Sequence, residues 1–430
     1  MGFRSVLFVD SLPAQTGVQI PLYSVPLLER QIRLLVSLGT KAIVVVGPDG
    51  AAGDSLRQTL GQVDQAWVAP VSAPSYYPVA EGPDKWLAAS SDAILLLDAH
   101  HLVDTRILET LLKTGPDTLA VDPEASTALH LALVTRETVQ RLMPTWSNSS
   151  ALWDELAARS PEQVRRLTLR TINPYIVNLR RTLSVYWLPI RSGADAQIGE
   201  ALLIDAAQKG TLDWPARYLH PPFENRLTRL VARFKVTPNE VTTVTNLVAF
   251  IVTALLASGY LVTGLALAAI VGVMDGVDGK LARVTVRCTK FGDRYEHILD
   301  NVYELSWYWA LAWTLNAAGA EPLAFIAGAV ITLFYLLDRA ATGLYKYRSG
   351  IELFDVAPID RFFRSIGGRR NIYVLSLLAG AALDIPLIAF MAAAGWAVVT
   401  AVFHWGRAMW LLMHRSKTDQ TALYSSEAAS

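Results

Sequence analysis

The chain has few of the features that mark secreted, disulfide-bonded or nucleic-acid-binding proteins. Cys288 is its only cysteine, so one chain can build neither a disulfide framework nor a thiolate zinc site. Its 38 Lys and Arg residues balance 38 Asp and Glu residues, so no excess charge would attract nucleic acid. The amino terminus, MGFRSVLFVDS, lacks the long apolar core of a signal peptide. These absences favour a cytoplasmic location for the first part of the chain.

The sequence is instead rich in apolar residues. Hydrophobic residues make up 52% of 430 residues, which is too apolar for an ordinary soluble enzyme. Six candidate membrane spans follow, at 241–262, 263–283, 292–316, 322–345, 371–386 and 387–412. Lys and Arg collect at 283–290, at 346–370 and after 414, so the positive-inside rule places these segments in the cytoplasm. We therefore predict an integral protein of the cytoplasmic membrane whose amino-terminal domain and carboxyl terminus are both cytoplasmic.

The chain divides by composition into four parts. Residues 1–210 alternate short β-rich runs with helical patterns, which predicts a cytoplasmic α/β domain with a parallel sheet. Residues 211–236 form a juxtamembrane linker whose basic and apolar residues alternate, as in a helix that lies among lipid headgroups. Residues 237–415 form an all-α transmembrane domain, and 416–430 form a flexible tail. Strands are predicted at 5–9, 42–46, 93–97 and 118–121, and a helix at 25–38.

Four acidic residues lie at the margins of two predicted spans. Asp275 and Asp278 end the second span, and Glu296 and Asp300 begin the third. Residues three or four apart share a helix face, so each span presents two carboxylates on one side. A short basic loop allows the two spans to be antiparallel neighbours, which predicts that the four carboxylates meet near the cytoplasmic surface.

The negative charges of such a cluster must be neutralised by protons or bound cations, because one buried Asp costs roughly 2.5 to 3.5 kcal/mol in a membrane helix. Oxygen ligands without histidine or thiolate favour Mg²⁺ or Mn²⁺, and four carboxylates can hold a pair of ions. Gly279 and Ala282 would let a ligand approach the helix backbone, and Arg283 could hold a phosphate. Each of these three residues alone would indicate only a helix interface with an arginine reaching the membrane surface. Together with the acids they indicate a phosphate-ligand site.

The spacing of these residues resembles the signature of the CDP-alcohol phosphotransferases, also called CDP-alcohol phosphatidyltransferases. It runs Asp275-x-x-Asp278-Gly279-x-x-Ala282-Arg283, then eight residues, Gly292, three residues, Glu296, three residues and Asp300. The family has Asp where this chain has Glu296, which leaves the metal preference open. VTPNEVTTVTNL at the start of the first span, and the count of six spans, are also similar to the family.

The resemblance implies a membrane enzyme that displaces CMP from a CDP-linked alcohol with an acceptor hydroxyl. It implies a homodimer, and a product that is a phospholipid or an inositol phosphodiester. Asp300 is implied as the catalytic base, and the implied metal ligands are Asp275, Asp278, Glu296 and Asp300. The implied donor-binding residues are Asp275, Asp278, Gly279, Ala282, Arg283 and Gly292.

The first domain has a resemblance of its own. PLLERQIRLLVSLGTKAIVVVG and DAILLLDAHHLVDTRILETLL resemble sugar-nucleotide and inositol-phosphate nucleotidyltransferases. The whole chain is therefore similar to fusions of inositol-1-phosphate cytidylyltransferase with di-myo-inositol-phosphate-phosphate synthase. VDSLPAQTGVQIP lacks the glycine-rich turn and basic residue of the nucleotidyltransferases, and their metal-binding Asp falls near Asp98-Ala99-His100. If Ala99 takes the metal position the site is lost, whereas a shift of one residue to Asp98 would keep it. We favour a degenerate domain, with His100 and His101 as ordinary surface residues and not as metal ligands.

The sequence leaves the identity of the acceptor open. Four arginines in the last large cytoplasmic segment either hold an acceptor phosphate, such as that of inositol phosphate, or only set the topology: Arg361, Arg364, Arg369 and Arg370. Within the enzyme class, the alternative is a phospholipid synthase that uses CDP-diacylglycerol with a simple alcohol or glycerol phosphate. Outside it, the carboxylates could coordinate a transported cation, or Glu296 could mark a catalytically silent scaffold.

Overall fold

The computed structural model describes residues 2–9, 18–63, 74–78, 92–122, 128–142, 149–320 and 322–414. The chain forms two compact units. The first comprises Met1–Pro174, Leu183–Ala206 and Val284–Arg287, and the second comprises Tyr175–Thr182, Ala207–Arg283 and Cys288–Ser430. The first unit is α/β and the second is largely helical, which confirms the predicted succession. The domain boundaries at 210, 236 and 415 stay predictions, and the 416–430 tail lies outside the described residues.

The first unit is built on a seven-stranded sheet of order β10-β8-β9-β6-β1-β4-β5. Its strands are β1 (Phe3–Phe8), β4 (Ile43–Gly47), β5 (Ser75–Pro78), β6 (Ala93–Asp98), β8 (Thr118–Val121), β9 (Ala128–Val134) and β10 (Arg165–Thr168). Short two-stranded ladders pair β2 (Pro21–Leu22) with β3 (Val25–Pro26), β7 (His101–Val103) with β13 (Trp187–Pro189), and, in the second unit, β11 (Tyr175–Ile176) with β12 (Arg181–Thr182).

The prediction of a purely parallel sheet is wrong at β9. This strand is antiparallel to both β6 and β8, whereas β1 is parallel to β4 and β6. Only residues 122–127 separate β8 from β9. A parallel return needs a crossover connection of a dozen or more residues, so a link of this length imposes an antiparallel pair.

The inner strands of the sheet, such as β1, β4, β6 and β8, are buried on both faces, which explains why they are largely continuous apolar runs. Leu7 and Leu95 contribute to one hydrophobic cluster, and Val6, Phe8 and Trp153 contribute to the other. Successive strand residues point to opposite faces, so every position of such a strand must be apolar. The helices of this unit are α1 (Leu27–Ser37), α2 (Ala51–Gly61), α3 (Thr105–Thr114), α4 (Arg136–Leu142), α5 (Ser149–Ala158) and α6 (Gly193–Ala206).

The second unit contains four helices that are long and apolar enough to cross a membrane, among the residues described. They are α8 (Pro238–Ala257), α9 (Leu261–Val284), α11 (Leu323–Ser349) and α14 (Pro386–His414). The other helices are α7 (Pro221–Arg233), α10 (Lys290–Ala317), α12 (Pro358–Ile366) and α13 (Arg370–Ala382). This composition is that of a membrane protein. The count of six spans is not confirmed, because α10 carries many charges and α13 has 13 residues.

Local capping sets where two of these helices begin. Thr237 and Glu240 form a reciprocal capping box at the start of α8, and Pro238 occupies its first turn. The Thr289 side chain accepts a hydrogen bond from the Gly292 backbone N–H at the start of α10. These bonds satisfy N–H groups that a helix leaves without partners. By fixing the first turn of α8 and of α10, these bonds also fix the direction in which the later side chains of each helix point.

We expect Trp153→Ala to destabilise the first unit strongly. Trp153 is 1% exposed and packs edge-on against Phe8. Removing a buried Trp side chain typically costs about 3 to 5 kcal/mol. The melting temperature of the purified full chain should fall well below that of Trp214→Ala, a matched change at a side chain that is 47% exposed. Equal melting temperatures for the two variants would contradict this packing.

Candidate active site

The structure brings the four predicted carboxylates together. Asp275 and Asp278 lie near the end of α9, and Glu296 and Asp300 lie in the first half of α10. Each of the four interacts electrostatically with at least two of the others. Asp278 is 3% exposed, and the other three are half-buried. The convergence inferred from helix periodicity is therefore present in the folded chain.

Asp278 is held by hydrogen bonds from both sides. Its Oδ2 accepts a hydrogen bond from the Thr242 hydroxyl on α8 at 2.5 Å, and its Oδ1 accepts one from the Gly279 backbone N–H at 2.6 Å. Thr242 is itself buried, and its backbone carbonyl accepts a bond from the Asn246 amide. These contacts satisfy both carboxylate oxygens and fix the rotamer of Asp278.

Arg370, the first residue of α13, contacts two of the four carboxylates. Its Nη2 lies 2.6 Å from Asp275 Oδ2, and its Nη1 lies 3.5 Å from Asp300 Oδ1. Sequence reasoning placed Arg370 among acceptor-binding residues. In the structure this guanidinium joins one carboxylate from α9 to one from α10, and so offsets their mutual repulsion.

Glu304 is a fifth carboxylate that sequence reasoning missed. It lies one turn beyond Asp300 on α10, is 7% exposed, accepts a hydrogen bond from the Tyr308 hydroxyl at 2.5 Å, and lies 4.0 Å from Arg370 Nη1. A signal was available, because Glu296, Asp300 and Glu304 follow one another at intervals of four residues. The acidic face of α10 therefore extends a turn deeper than predicted.

The small residues of the signature allow close approaches. A Cβ atom at Gly279 would lie 3.3 Å from the Arg283 guanidinium, and one at Gly292 would lie 2.8 Å from Asn239 Oδ1. Arg283 Nε donates a hydrogen bond to the Ala207 carbonyl at 2.9 Å. Ala282 is half-buried on the same helix. These positions are thus required for packing, whatever ligand they also admit.

The four predicted acceptor-binding arginines, at positions 361, 364, 369 and 370, do not form one group. Arg361 donates a hydrogen bond to the Asp355 carbonyl, while the Arg364 and Arg369 guanidinium groups lie 4.6 Å and 5.4 Å from the centre of the Phe354 ring. Arg364 Nε and Nη1 are buried and have no hydrogen-bond partner among the described residues. Buried guanidinium N–H groups without acceptors suit an anionic ligand.

The first unit has its own polar centre at the carboxyl end of β6. Asp98 lies 3.0 Å from His100 Nδ1, 3.3 Å from His101 Nδ1 and 3.2 Å from His130 Nδ1. Burial would raise the pKa of Asp98, but the contacts with these three imidazoles hold it well below its usual range. His100 and His101 are 4% and 7% exposed, so the prediction that they are surface residues is wrong. Residues 10–17, most of the stretch without a glycine-rich turn, lie outside the described residues.

The carboxylate cluster has the donor chemistry for a hard divalent cation. All its ligand atoms are carboxylate oxygens, the type that Mg²⁺ and Mn²⁺ prefer. Among the described residues, no three His, Cys, Asp or Glu side chains already enclose an ion position. Arg370 accounts for this at Asp275 and Asp300, because its guanidinium lies against both. The residues fit an ion once this guanidinium shifts from one or both of them.

The second unit has the helices of a membrane protein and an acidic site shared by two of them. Residues 235–413 match the family model described as CDP-alcohol phosphatidyltransferase. The curated relatives include the bifunctional IPC transferase and DIPP synthase of Thermococcus kodakarensis, which is 31% identical over 187 residues, 43% of this chain and 41% of the relative.

A second curated relative and one solved structure also match this chain. The phosphatidylinositol phosphate synthase of Corynebacterium glutamicum is 28% identical over 120 residues, 28% of this chain and 53% of the relative. The chain thus spans about half the length of the curated relatives it matches. A solved UDP-glucose pyrophosphorylase from Acinetobacter baumanii is 13% identical with a TM-score of 0.31, over 47% of this chain and 93% of that one.

We expect Thr242→Val to weaken binding of Mn²⁺ to the carboxylate cluster. Valine has nearly the shape of threonine but cannot donate to Asp278, whose buried carboxylate would then be harder to ionise. Hydrogen bonds to charged groups contribute about 1.5 to 3 kcal/mol, or roughly a ten- to hundredfold change in affinity. Electron paramagnetic resonance titration of the purified protein measures this. Thr242→Ser keeps the hydroxyl and should bind nearly as wild type; equal losses in both variants would rule out the hydrogen bond as the cause.

Proposed function

We propose that the chain is an integral-membrane CDP-alcohol phosphotransferase. It would displace CMP from a CDP-linked alcohol with an acceptor hydroxyl and form a phosphodiester. The observation that carries this proposal is the convergence of Asp275, Asp278, Glu296 and Asp300 beside Arg283, in the segment that matches the family. Four ionised acids repel a diphosphate unless bound metal ions neutralise them, which suits a metal-dependent transfer of a phosphate group.

The first proposed role of the carboxylates is metal binding. Two Mg²⁺ or Mn²⁺ ions would be held by Asp275, Asp278, Glu296 and Asp300. Bound divalent ions supply charge neutralisation for the diphosphate and for the departing CMP. Thr242 keeps Asp278 in one orientation, and Arg370 links Asp275 to Asp300. Glu296 is one methylene longer than the family's Asp, so its oxygens can reach a slightly different position.

Asp300 is the residue we assign as general base. The acceptor oxygen would attack the phosphorus next to the transferred alcohol, the bond from that phosphorus to the CMP oxygen would break, and CMP would leave with the electron pair. Asp300 would take the proton of the acceptor hydroxyl. It is half-buried and 3.5 Å from Arg370, so a hydroxyl can reach it while the guanidinium holds it in place. Gly279, Ala282 and Gly292 would line the donor site, with Arg283 on phosphate.

Asp300→Asn should reduce the release of CMP by at least a hundredfold, since a general base contributes about 10² to 10⁴ to the rate. The measurement is CMP formed from a CDP-alcohol in the presence of Mg²⁺ and an acceptor. The matched control is Asp293→Asn, the same change at an exposed position of α10. Release of CMP at the wild-type rate by well-folded Asp300→Asn protein would show that another group takes the proton.

We further propose that Arg364 and Arg369 bind the phosphate of the acceptor. Both guanidinium groups lie on the Phe354 ring, and two donor atoms of Arg364 are buried without acceptors among the described residues. The T. kodakarensis relative is named as a DIPP synthase, which favours an inositol phosphate as acceptor. Arg370 would act mainly on the carboxylates, and Arg361 would support the loop through the Asp355 carbonyl.

Replacing Arg364 and Arg369 by glutamine should raise the KM for a phosphorylated acceptor by roughly a hundredfold, because two charge-assisted contacts are lost. The KM for the CDP-alcohol should change little. Arg348→Gln removes the same charge from an exposed position near the end of α11 and provides the control. An unchanged acceptor KM would favour the reading in which these arginines only set the membrane topology.

A second candidate is a phosphatidylinositol phosphate synthase type of activity, which the C. glutamicum relative favours. The donor would then be CDP-diacylglycerol, and mass spectrometry of the product separates the two candidates. We also propose that the chain is a homodimer, that it has six spans, and that its active site, amino-terminal domain and carboxyl terminus face the cytoplasm. The first domain is proposed to be nucleotidyltransferase-like but inactive in nucleotide transfer.

A further inference from the structure

A short segment of the second unit, residues 207–213, is fastened to the elements that carry the carboxylate site. We call this segment the strap. Three side-chain contacts hold it: Arg283 Nε to the Ala207 carbonyl at 2.9 Å, Thr211 Oγ1 to Asp355 Oδ1 at 3.0 Å, and Asn371 Nδ2 to Asp213 Oδ1 at 3.1 Å. Its middle is fixed as well, because the Gly210 N–H donates to the Leu179 carbonyl at 2.7 Å.

Two partners of the strap belong to the site or adjoin it. Arg283 follows the acid pair on α9, and Asn371 follows Arg370, which contacts Asp275 and Asp300. A Cβ atom at Gly210 would lie 2.2 Å from the Arg180 carbonyl oxygen, so the backbone of the strap is packed closely against the β11–β12 hairpin. The strap therefore has a defined position beside the carboxylates.

Lys209 is the one cationic residue of the strap. Its side chain is exposed, and it interacts electrostatically with Glu296, Asp275 and Arg283. Among the described residues Lys209 makes no ion pair within 4.0 Å, although Glu296 and Asp275 are near enough to act on it electrostatically. An exposed amine that senses both a guanidinium and carboxylates, and forms an ion pair with none of these carboxylates, can bind an anion together with the guanidinium.

We propose that Lys209 contacts the diphosphate of the cytidine-nucleotide donor, as a cation supplied from outside the signature helices. This inference rests on the proposed function. With Arg283 held on the Ala207 carbonyl, the two cations would face the same phosphate groups from the strap and from α9. The strap would thus fix the donor phosphates relative to the carboxylates. Lys209 would be a donor-binding residue and would play no part in the removal of the acceptor proton.

The test is calorimetric titration of the full chain in detergent with CDP and, separately, with CMP, in the presence of Mg²⁺. Lys209→Gln should weaken CDP binding about tenfold, which corresponds to one charge-assisted contact. Its affinity for CMP, which lacks the second phosphate, should change by less than about threefold. Lys209→Arg keeps the charge and should recover most of the CDP affinity. Lys235→Gln, the same change at another exposed lysine of this unit, should bind CDP as wild type does.

The possible failures are distinguishable. If wild-type protein binds CDP and Lys209→Gln binds it equally well, the inference is wrong and the proposed function stands. Equal weakening of CDP and CMP in Lys209→Gln would indicate a disturbed strap and would also overturn the assignment. Wild-type protein that binds neither nucleotide would overturn both this inference and the proposed function.

Discussion

Repulsion among four carboxylates near the ends of two adjoining helices is the constraint on which the second unit depends. Asp275, Asp278, Glu296 and Asp300 interact with one another, and ionised acids are costly at such positions. The fold answers with groups from other helices, namely the Thr242 hydroxyl of α8 and the Arg370 guanidinium of α13. Each of these elements must be in place before the acids can lie together, so the site and the helix arrangement are specified jointly.

A buried ion pair lies on another side of α9. Lys280 Nζ lies 2.7 Å from Glu224 Oε2 of α7, and both side chains are buried. A Cβ atom at Gly276 would lie 2.4 Å from Glu224 Oε1, so only glycine allows this carboxylate to approach the helix. Loss of either partner of the pair would leave a buried charge uncompensated. The helix that bears the acid pair is thus held on one side by hydrogen bonds and on another by a buried ion pair.

The first unit places one carboxylate among imidazoles at the end of a buried strand. The central strands of the mixed sheet are buried, and Asp98 ends β6. Three imidazoles surround this carboxylate, and two of them are almost fully buried. In the protonation state favoured by these contacts Asp98 is ionised, and both of its oxygens already have partners within the protein. The buried strands preserve the fold because they depend on apolar burial, which does not require any particular polar residue.

Local patterns in the sequence determined the helix faces, the spacing of the acids, most strand positions and the signature of the family. Helix periodicity relates residues three and four apart, and continuous apolar runs indicate buried strands, so neither needs knowledge of the fold. Only the tertiary structure decided that Arg370 faces the acids, that Thr242 holds Asp278, and that Lys209 lies near Glu296. These partners are 36 to 95 residues apart for the two hydrogen-bonded pairs. Contacts between such distant residues depend on how the helices pack, which no local periodicity of the sequence encodes. The direction of β9 likewise depends on a link that is too short for a crossover.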